Sequence, residues 1–85
     1  MNQVFIINYI KKMQKHDIYK IAYNKGIILS DDEVNIIFDY IKKNYRHFFN
    51  GSINYDDIKN DAKKFLSSDN YKKFLSFYNQ YMDKI

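Results

Sequence analysis

Apolar residues recur every three or four positions along most of the chain, and no stretch keeps the strict alternation of a half-buried strand. This spacing predicts five helices. The first two cover about residues 2–14 and 17–24, the third runs from a cap at Ser30 to about Phe49, and the last two follow caps at Asn54 and at Ser67 or Ser68. The connections are only a few residues long, as between neighbouring helices of a bundle. We therefore expect an all-α fold, a compact bundle of about five short helices, with residues 1–85 forming a single helical domain.

Local signals mark several of the predicted helix ends. The run Ser30-Asp31-Asp32-Glu33 is typical of a capping box, in which the Ser30 hydroxyl accepts from the Glu33 amide while the Glu33 carboxylate reaches back. Asp17 is the predicted N-cap of the second helix. Gly26 and the run Asn50-Gly51-Ser52 are expected to end the second and third helices, because glycine adopts a left-handed conformation without a Cβ penalty.

Each predicted helix has one apolar face when its residues are projected at about 100° per residue. The residues expected to point inward are Phe5, Ile6, Tyr9, Ile10 and Met13 in the first helix, Ile18, Ile21 and Ala22 in the second, Val34, Ile37, Phe38, Ile41, Tyr45 and Phe48 in the third, Tyr55, Ile58, Ala62, Phe65 and Leu66 in the fourth, and Tyr71, Phe74, Leu75, Tyr78, Tyr81 and Met82 in the fifth.

Some apolar residues do not fit these faces, among them four on the second and third helices. Tyr19 and Tyr23 are four apart on the flank of the second helix, and Ile36 and Tyr40 are four apart on the third. A second apolar strip either packs against another helix of the same bundle or meets another chain. These four residues are our predicted protein interface, with a homo-oligomer as one form of it.

Composition limits the classes of protein that the chain can represent. Cysteine is absent, so neither a disulfide framework nor a thiolate metal site can stabilise the fold, whereas 46% hydrophobic residues can supply a core. The apolar run Val4–Ile7 is far shorter than the roughly 18 residues of a membrane span, and lysines follow it rather than precede it. We expect a cytoplasmic protein with no membrane partner.

The net charge of +4 has two explanations that the sequence leaves open. One is a nucleic-acid partner. The other is base composition, because Asn, Ile, Lys and Tyr all have A/T-rich codons and are abundant here, while Arg46 is the single arginine in the chain. Direct base recognition relies heavily on bidentate arginine. Acidic residues also open the predicted helices and basic residues close them, as helix dipoles favour without any partner.

Candidate catalytic and metal-binding groups are sparse. His16 and His47 are far apart in the sequence, with no cysteine to complete a zinc site and no local sign of a triad. The oxygen-rich segment 50–61 imitates a calcium loop, but its glycine is misplaced and its last position holds Asp61 instead of a bidentate glutamate. We predict no catalytic residue, no cofactor and no metal, and hence no enzyme.

The order of these features resembles the YqfT-like family, small uncharacterised proteins of low-GC Gram-positive bacteria that carry a domain of unknown function. The resemblance covers nearly the whole chain and rests on a short N-terminal helix, a "YNKGIILS"-like step, the segment "DDEVNIIFDYI" and two further helices. The chain departs from the family pattern in its higher content of Tyr, Lys and Asn. The resemblance implies an intracellular helical fold and supplies no functional residue.

Residues 18–43 also resemble helix–extended–helix modules of the SAP type, which contact the backbone of nucleic acids. The acidic start of the third helix, Asp31 to Glu33, would repel phosphate. The residues left for phosphate contacts are Lys20, Lys25, Lys42, Lys43 and Arg46.

Two functions follow as hypotheses. The first is a small non-enzymatic helical module for protein–protein interaction or assembly, whose partner is another protein or a second copy of the chain. The alternative is a weak, mainly electrostatic nucleic-acid-binding module that uses the segment 18–46.

Overall fold

Five α-helices and their short connections account for almost all of the chain, in a computed structural model that describes the backbone of residues 3–83 and the side chains of residues 4–80. The helices are α1 (Gln3–Lys12), α2 (Lys15–Asn24), α3 (Asp31–Phe49), α4 (Tyr55–Phe65) and α5 (Ser68–Asp83). No strand occurs within residues 3–83. The predicted all-α bundle of about five short helices is confirmed.

Three helices begin with side-chain caps. At α3, the Glu33 amide donates to the Ser30 hydroxyl at 3.2 Å, and the Ser30 amide donates to the Glu33 carboxylate at 2.9 Å. Asn54 caps α4 by accepting from the Asp57 amide at 2.9 Å. Ser67 caps α5 by accepting from the Asn70 amide at 3.3 Å. These contacts satisfy amides that the first helical turn leaves without partners, and they explain why the helices start where they do.

The start of α2 differs from the prediction. The helix begins at Lys15, so Asp17 lies inside the first turn, and Gln14 is the N-cap residue. The Asp17 carboxylate accepts from the Gln14 amide at 2.8 Å. Predicting Asp17 as the N-cap was therefore wrong, because its carboxylate stabilises this helix start by reaching back to the backbone.

Two glycines end α2 and α3 in the same way. Gly26 has a φ of 80° and Gly51 a φ of 85°. Behind Gly26, the Ile27 amide donates to the Ala22 carbonyl at 2.9 Å, and the equivalent bond after Gly51 joins the Ser52 amide to the His47 carbonyl at 2.8 Å. Both ends are Schellman motifs, in which the left-handed residue is glycine.

Helix α3 forms the centre of the molecule. Helices α1 and α2 pack on one flank of α3, α4 packs on another, and α5 packs on α4. The buried core lies where α2, the connection after it and the start of α3 meet, and it consists of Met13, Ile18, Ile27, Leu29 and Val34. Within residues 3–83, the backbones of α1 and α2 do not approach those of α4 and α5. The two halves meet through side chains instead, with Leu66 and Phe74 packed against the core.

Four residues predicted to point inward are exposed instead. Phe5 is 75% exposed and Tyr9 54%, because α1 packs on α3 alone and only a narrow stripe of it is covered. Tyr55 is 41% exposed at the first turn of α4, with its ring edge against Phe48. Ile21 is 46% exposed, since it faces the gap between the helix pairs. The predicted inward residues Tyr81 and Met82 lie outside the side chains that the structure describes.

Candidate functional site

An apolar cleft of about 510 Å³ lies between α1 and α2 on one side and α4 and α5 on the other, with buried core residues at its base and an opening to solvent. Its floor is one face of α3, and its walls are α1 and α2 on one side and α4 and α5 on the other. The residues that line it are Ile6, Ile10, Met13, Ile18, Ile21, Ala22, Lys25, Ile27, Leu29, Ile37, Tyr40, Ile41, Asn44, Tyr45, Phe48, Phe49, Ile53, Ile58, Ala62, Phe65, Leu66, Phe74 and Phe77. We call this site the cleft. Its volume lies in the range of about 300–1,000 Å³ that is usual for ligand sites.

The polar groups at the cleft are mostly engaged within the chain. The Tyr40 hydroxyl donates to the Asp61 carboxylate at 2.7 Å, and the side-chain amide of Asn44 donates to the backbone carbonyl of Tyr40 at 2.9 Å. Burial, together with the bond to Asp61, raises the pKa of Tyr40 above its ordinary value. The Tyr45 hydroxyl accepts from Arg46 at 3.2 Å. These contacts leave a surface that offers an occupant mainly hydrocarbon.

Lys25 is the charged residue among those that line the cleft. It follows the last residue of α2, and its Nζ lies 5.0 Å from the centre of the Phe77 ring on α5. It forms no ion pair with any residue in the described part of the chain. Lys25 therefore spans the mouth of the cleft between two helices whose backbones do not meet.

A buried hydrogen-bond network ties α5 to the start of α3. Only 7% of Glu33 and 7% of Asn70 are exposed. The Glu33 carboxylate accepts from the Ser67 amide at 2.8 Å and from the Asn70 side chain at 2.9 Å, in addition to its bond within α3. Asn70 also donates to the Ile28 carbonyl at 3.0 Å. We call Glu33, Ser67, Asn70 and the Ile28 carbonyl the clasp, and it sets where the α5 wall of the cleft begins.

The ionisation of Glu33 reflects two opposing effects. Burial raises the pKa of its carboxyl group, but the hydrogen bonds from Ser30, Ser67 and Asn70 favour the charged form more strongly. The pKa of Glu33 consequently lies below the ordinary value, and the clasp is built around a carboxylate.

The four residues of the predicted protein interface differ in their exposure and in their contacts within the chain. Tyr19 and Tyr23 are exposed and their rings stack at 6.1 Å, and Tyr19 lies beside Asp31 at the start of α3. Tyr40 instead contacts α4, through Asp61 and through the Phe65 ring at 5.4 Å. Ile36 is 44% exposed, and no ring contact or hydrogen bond joins it to either tyrosine of α2 within the described residues. An interface role for Tyr19, Tyr23 and Ile36 stays a prediction, whereas Tyr40 is partly covered by α4.

The five predicted nucleic-acid contacts are also divided. Lys42 donates to the Ile10 carbonyl at 2.6 Å and the Lys11 carbonyl at 2.9 Å, so it caps the end of α1. Lys25 lies at the cleft, and Arg46 lies against Tyr45. Lys20 and Lys43 are exposed. Lys42 is therefore engaged within the chain, and nucleic-acid binding stays a prediction.

Exchanging Lys42 for glutamine tests its structural role. We expect the free energy of unfolding to fall by about 1–2 kcal/mol, because Lys42 places a positive charge and two hydrogen bonds on the carbonyl end of α1. The exposed neighbour Lys43, changed to glutamine, should cost less than about 0.5 kcal/mol. Urea unfolding followed by circular dichroism measures both changes, and equal losses in the two variants would contradict the capping role.

The histidines lie on different helices and both are exposed. His16 Nε2 is 3.4 Å from the Asp17 carboxylate. Among the described residues, no three histidine, aspartate or glutamate side chains come close enough together to hold a metal ion.

The sequence predicted neither the cleft nor the hydrogen bonds that Glu33 accepts from Ser67 and Asn70. The capping-box pattern identified Glu33 through its contacts within three residues, whereas the clasp joins residues more than thirty positions apart. Lys25 was predicted as a nucleic-acid contact because of its charge, but its position at the mouth of the apolar cleft depends on where α5 lies. The sequence feature that could have indicated the cleft is the width of the apolar stripes on α2 and α5, because the neighbouring helices cover only part of each stripe.

No family model matches the chain, and no curated protein and no solved structure shows significant similarity to it. The resemblance to the YqfT-like family and to SAP-type modules therefore stays a prediction. Within the described residues, none of the helices combines the length and the apolar character that crossing a membrane would require.

Proposed function

We propose that the protein is a non-enzymatic interaction module that binds an amphipathic helix of a partner protein in the cleft. The observation that carries this proposal is the cleft itself, about 510 Å³ of apolar space beside a helix, with large apolar side chains at its mouth. Ile21 is 46% exposed and Phe77 38%. Side chains of this kind at the mouth of a cleft gain free energy when a partner covers them.

The shape of the cleft favours a helix as the occupant. The floor residues of α3 run from Ile37 to Phe49, which is about 18 Å of helix at 1.5 Å per residue. Three turns of a bound helix span a similar length and present apolar residues at positions i, i+3, i+4 and i+7. The walls on both sides are themselves helices, so an added helix would complete a bundle around the same apolar centre.

Charge favours a different protein over a second copy of the chain. The chain has a formal net charge of +4, so two copies repel each other, whereas an acidic partner is attracted. Lys25 places part of this charge at the mouth of the cleft. We therefore assign the cleft to an amphipathic helix of a partner protein that carries a net negative charge.

The proposal is tested with paired variants. A photoreactive amino acid at position 77 identifies the partner segment that lies against α5, and a synthetic peptide of that segment is then titrated calorimetrically. We expect the double variant Ile21→Gln/Phe77→Gln to weaken peptide binding at least about tenfold, equivalent to 1.4 kcal/mol. The matched control is Ile28→Gln, because Ile28 is 63% exposed but does not line the cleft, and its affinity should stay within about twofold.

Several outcomes would contradict the proposal. One is equal affinity of the double variant and the control for the peptide, or a peptide that stays non-helical when bound. Another is dimerisation in sedimentation equilibrium that the double variant abolishes, which would replace the partner helix with a second copy. A shift of labelled DNA that Lys20→Gln/Lys43→Gln removes would favour the nucleic-acid alternative. Native mass spectrometry that finds a copurified small apolar molecule would assign the cleft to that molecule.

A further inference from the structure

We infer that Lys25 selects for a carboxylate on the partner helix that enters the cleft. This inference rests on the proposed function and adds to it the chemical feature that the partner helix must carry. The charged side chain that lines an otherwise apolar cleft stands at its mouth, between the two helix pairs. An occupant that covers the apolar floor will therefore bring one part of its own surface close to this ammonium group.

An ion pair with a carboxylate of the occupant can replace the contact between Lys25 and the Phe77 ring. Its Nζ lies 5.0 Å from the centre of the Phe77 ring, and no carboxylate within the described residues pairs with it. The attraction between an ammonium group and a ring face at an exposed site is weak. When an occupant excludes water from the cleft, a carboxylate at the same place interacts with Lys25 more strongly than it would in water.

The same geometry penalises a partner that lacks the acid. A wholly apolar occupant that covers the cleft would leave the Lys25 ammonium group partly desolvated and without a counter-charge. Phe77 offers it only a ring face, and Tyr40 and Asn44 are already engaged within the chain. Discrimination therefore arises both from the attraction of an acid and from the cost of its absence.

A fluorescent polyene fatty acid, parinaric acid, and its methyl ester provide a matched pair of probes. The two share one apolar chain and differ in a single carboxylate, so their comparison isolates the charge. Both are used at low micromolar concentration, where they do not form micelles, with the full chain. We expect the wild-type protein to bind the acid about five- to tenfold more tightly than the ester, and this preference should shrink as salt is added.

Three variants locate the effect. Lys25→Gln should lower the affinity for the acid to that for the ester and leave the ester within about twofold, whereas Lys25→Arg should keep the preference. Lys20→Gln, on the exposed surface of α2 away from the cleft, should change neither affinity. Ile21→Gln/Phe77→Gln should weaken both probes, which shows that they bind in the cleft.

The results separate this inference from the proposal beneath it. If both probes bind in the cleft and Lys25→Gln leaves the preference for the acid unchanged, the role of Lys25 is wrong while the cleft remains a binding site. If the ester binds as tightly as the acid to the wild-type protein, the role of Lys25 is likewise wrong. If neither probe binds, the cleft is not open to apolar ligands, and both the inference and the proposed function fail.

Discussion

Replacing Glu33 with alanine is expected to lower the free energy of unfolding by about 3 kcal/mol, because the change leaves one buried and two part-buried hydrogen-bond donors without their partner. The Glu33 carboxylate accepts from the Ser30 amide at 2.9 Å, the Ser67 amide at 2.8 Å and the Asn70 side chain at 2.9 Å. Only 7% of Glu33 is exposed, so water cannot readily take its place. Urea unfolding followed by circular dichroism measures the loss.

A neighbouring acid serves as the control for Glu33. Asp32 lies in the same first turn of α3 and interacts with the same helix dipole, but it is exposed. Asp32→Ala should cost less than about 1 kcal/mol, the usual value of a charge at a helix N-terminus. Glu33→Gln keeps an acceptor oxygen and should fall between the two. Losses for Glu33→Ala and Asp32→Ala that agree within about 0.5 kcal/mol would show that the clasp contributes little.

The same carboxylate gives the wild-type protein a specific dependence on pH. Since the pKa of Glu33 is lower in the folded chain than its ordinary value of 4.5, the folded protein holds the charged form more strongly than the unfolded chain does. This contribution is fully present above pH 4.5 and is lost as pH falls through the folded pKa. Between pH 7 and pH 3, the urea midpoint of the wild type should therefore fall further than that of Glu33→Gln.

Helix ends were predictable because their signals are local. The caps at Ser30 and Asn54 and the stops at Gly26 and Gly51 each depend on residues within about one turn of one another. The error at Asp17 has the same origin, since an aspartate can cap a helix or reach back from its first turn. Local sequence signals therefore predict that a helix starts nearby, but they locate its first residue only to within a few positions.

The candidate site could not be predicted in the same way, because it depends on contacts between distant segments. Apolar spacing shows which face of each helix avoids water, but it does not show whether two such faces meet. Ile21 and Phe74 both have helical spacing that suggests a filled core, but only Phe74 packs against the core, whereas Ile21 is 46% exposed beside the cleft. The spacing of Tyr40 predicts a second apolar strip on the surface, whereas in the structure Tyr40 contacts Asp61 and Phe65 of α4.

The difference between the buried base of the cleft and its exposed mouth can be tested directly within one helix. Ile18 and Ile21 lie one turn apart on α2, but only 6% of Ile18 is exposed, against 46% of Ile21. Ile18→Ala should lower the free energy of unfolding by about 2–4 kcal/mol, because it removes buried methyl groups from the core with Met13 and Val34 and leaves a void. Ile21→Ala should cost less than about 1 kcal/mol, because little of the lost side chain is packed.

The pair is well matched, because both substitutions change isoleucine to alanine in the same short helix. Any gain in helix propensity is shared and cancels in the comparison. Urea unfolding of the two variants gives the difference directly. Equal losses of about 3 kcal/mol would mean that Ile21 is packed in solution, and that the helix pairs close on each other in the free protein. A small loss for Ile21→Ala, together with weaker binding of the partner helix, would show that this side chain serves recognition rather than the stability of the fold.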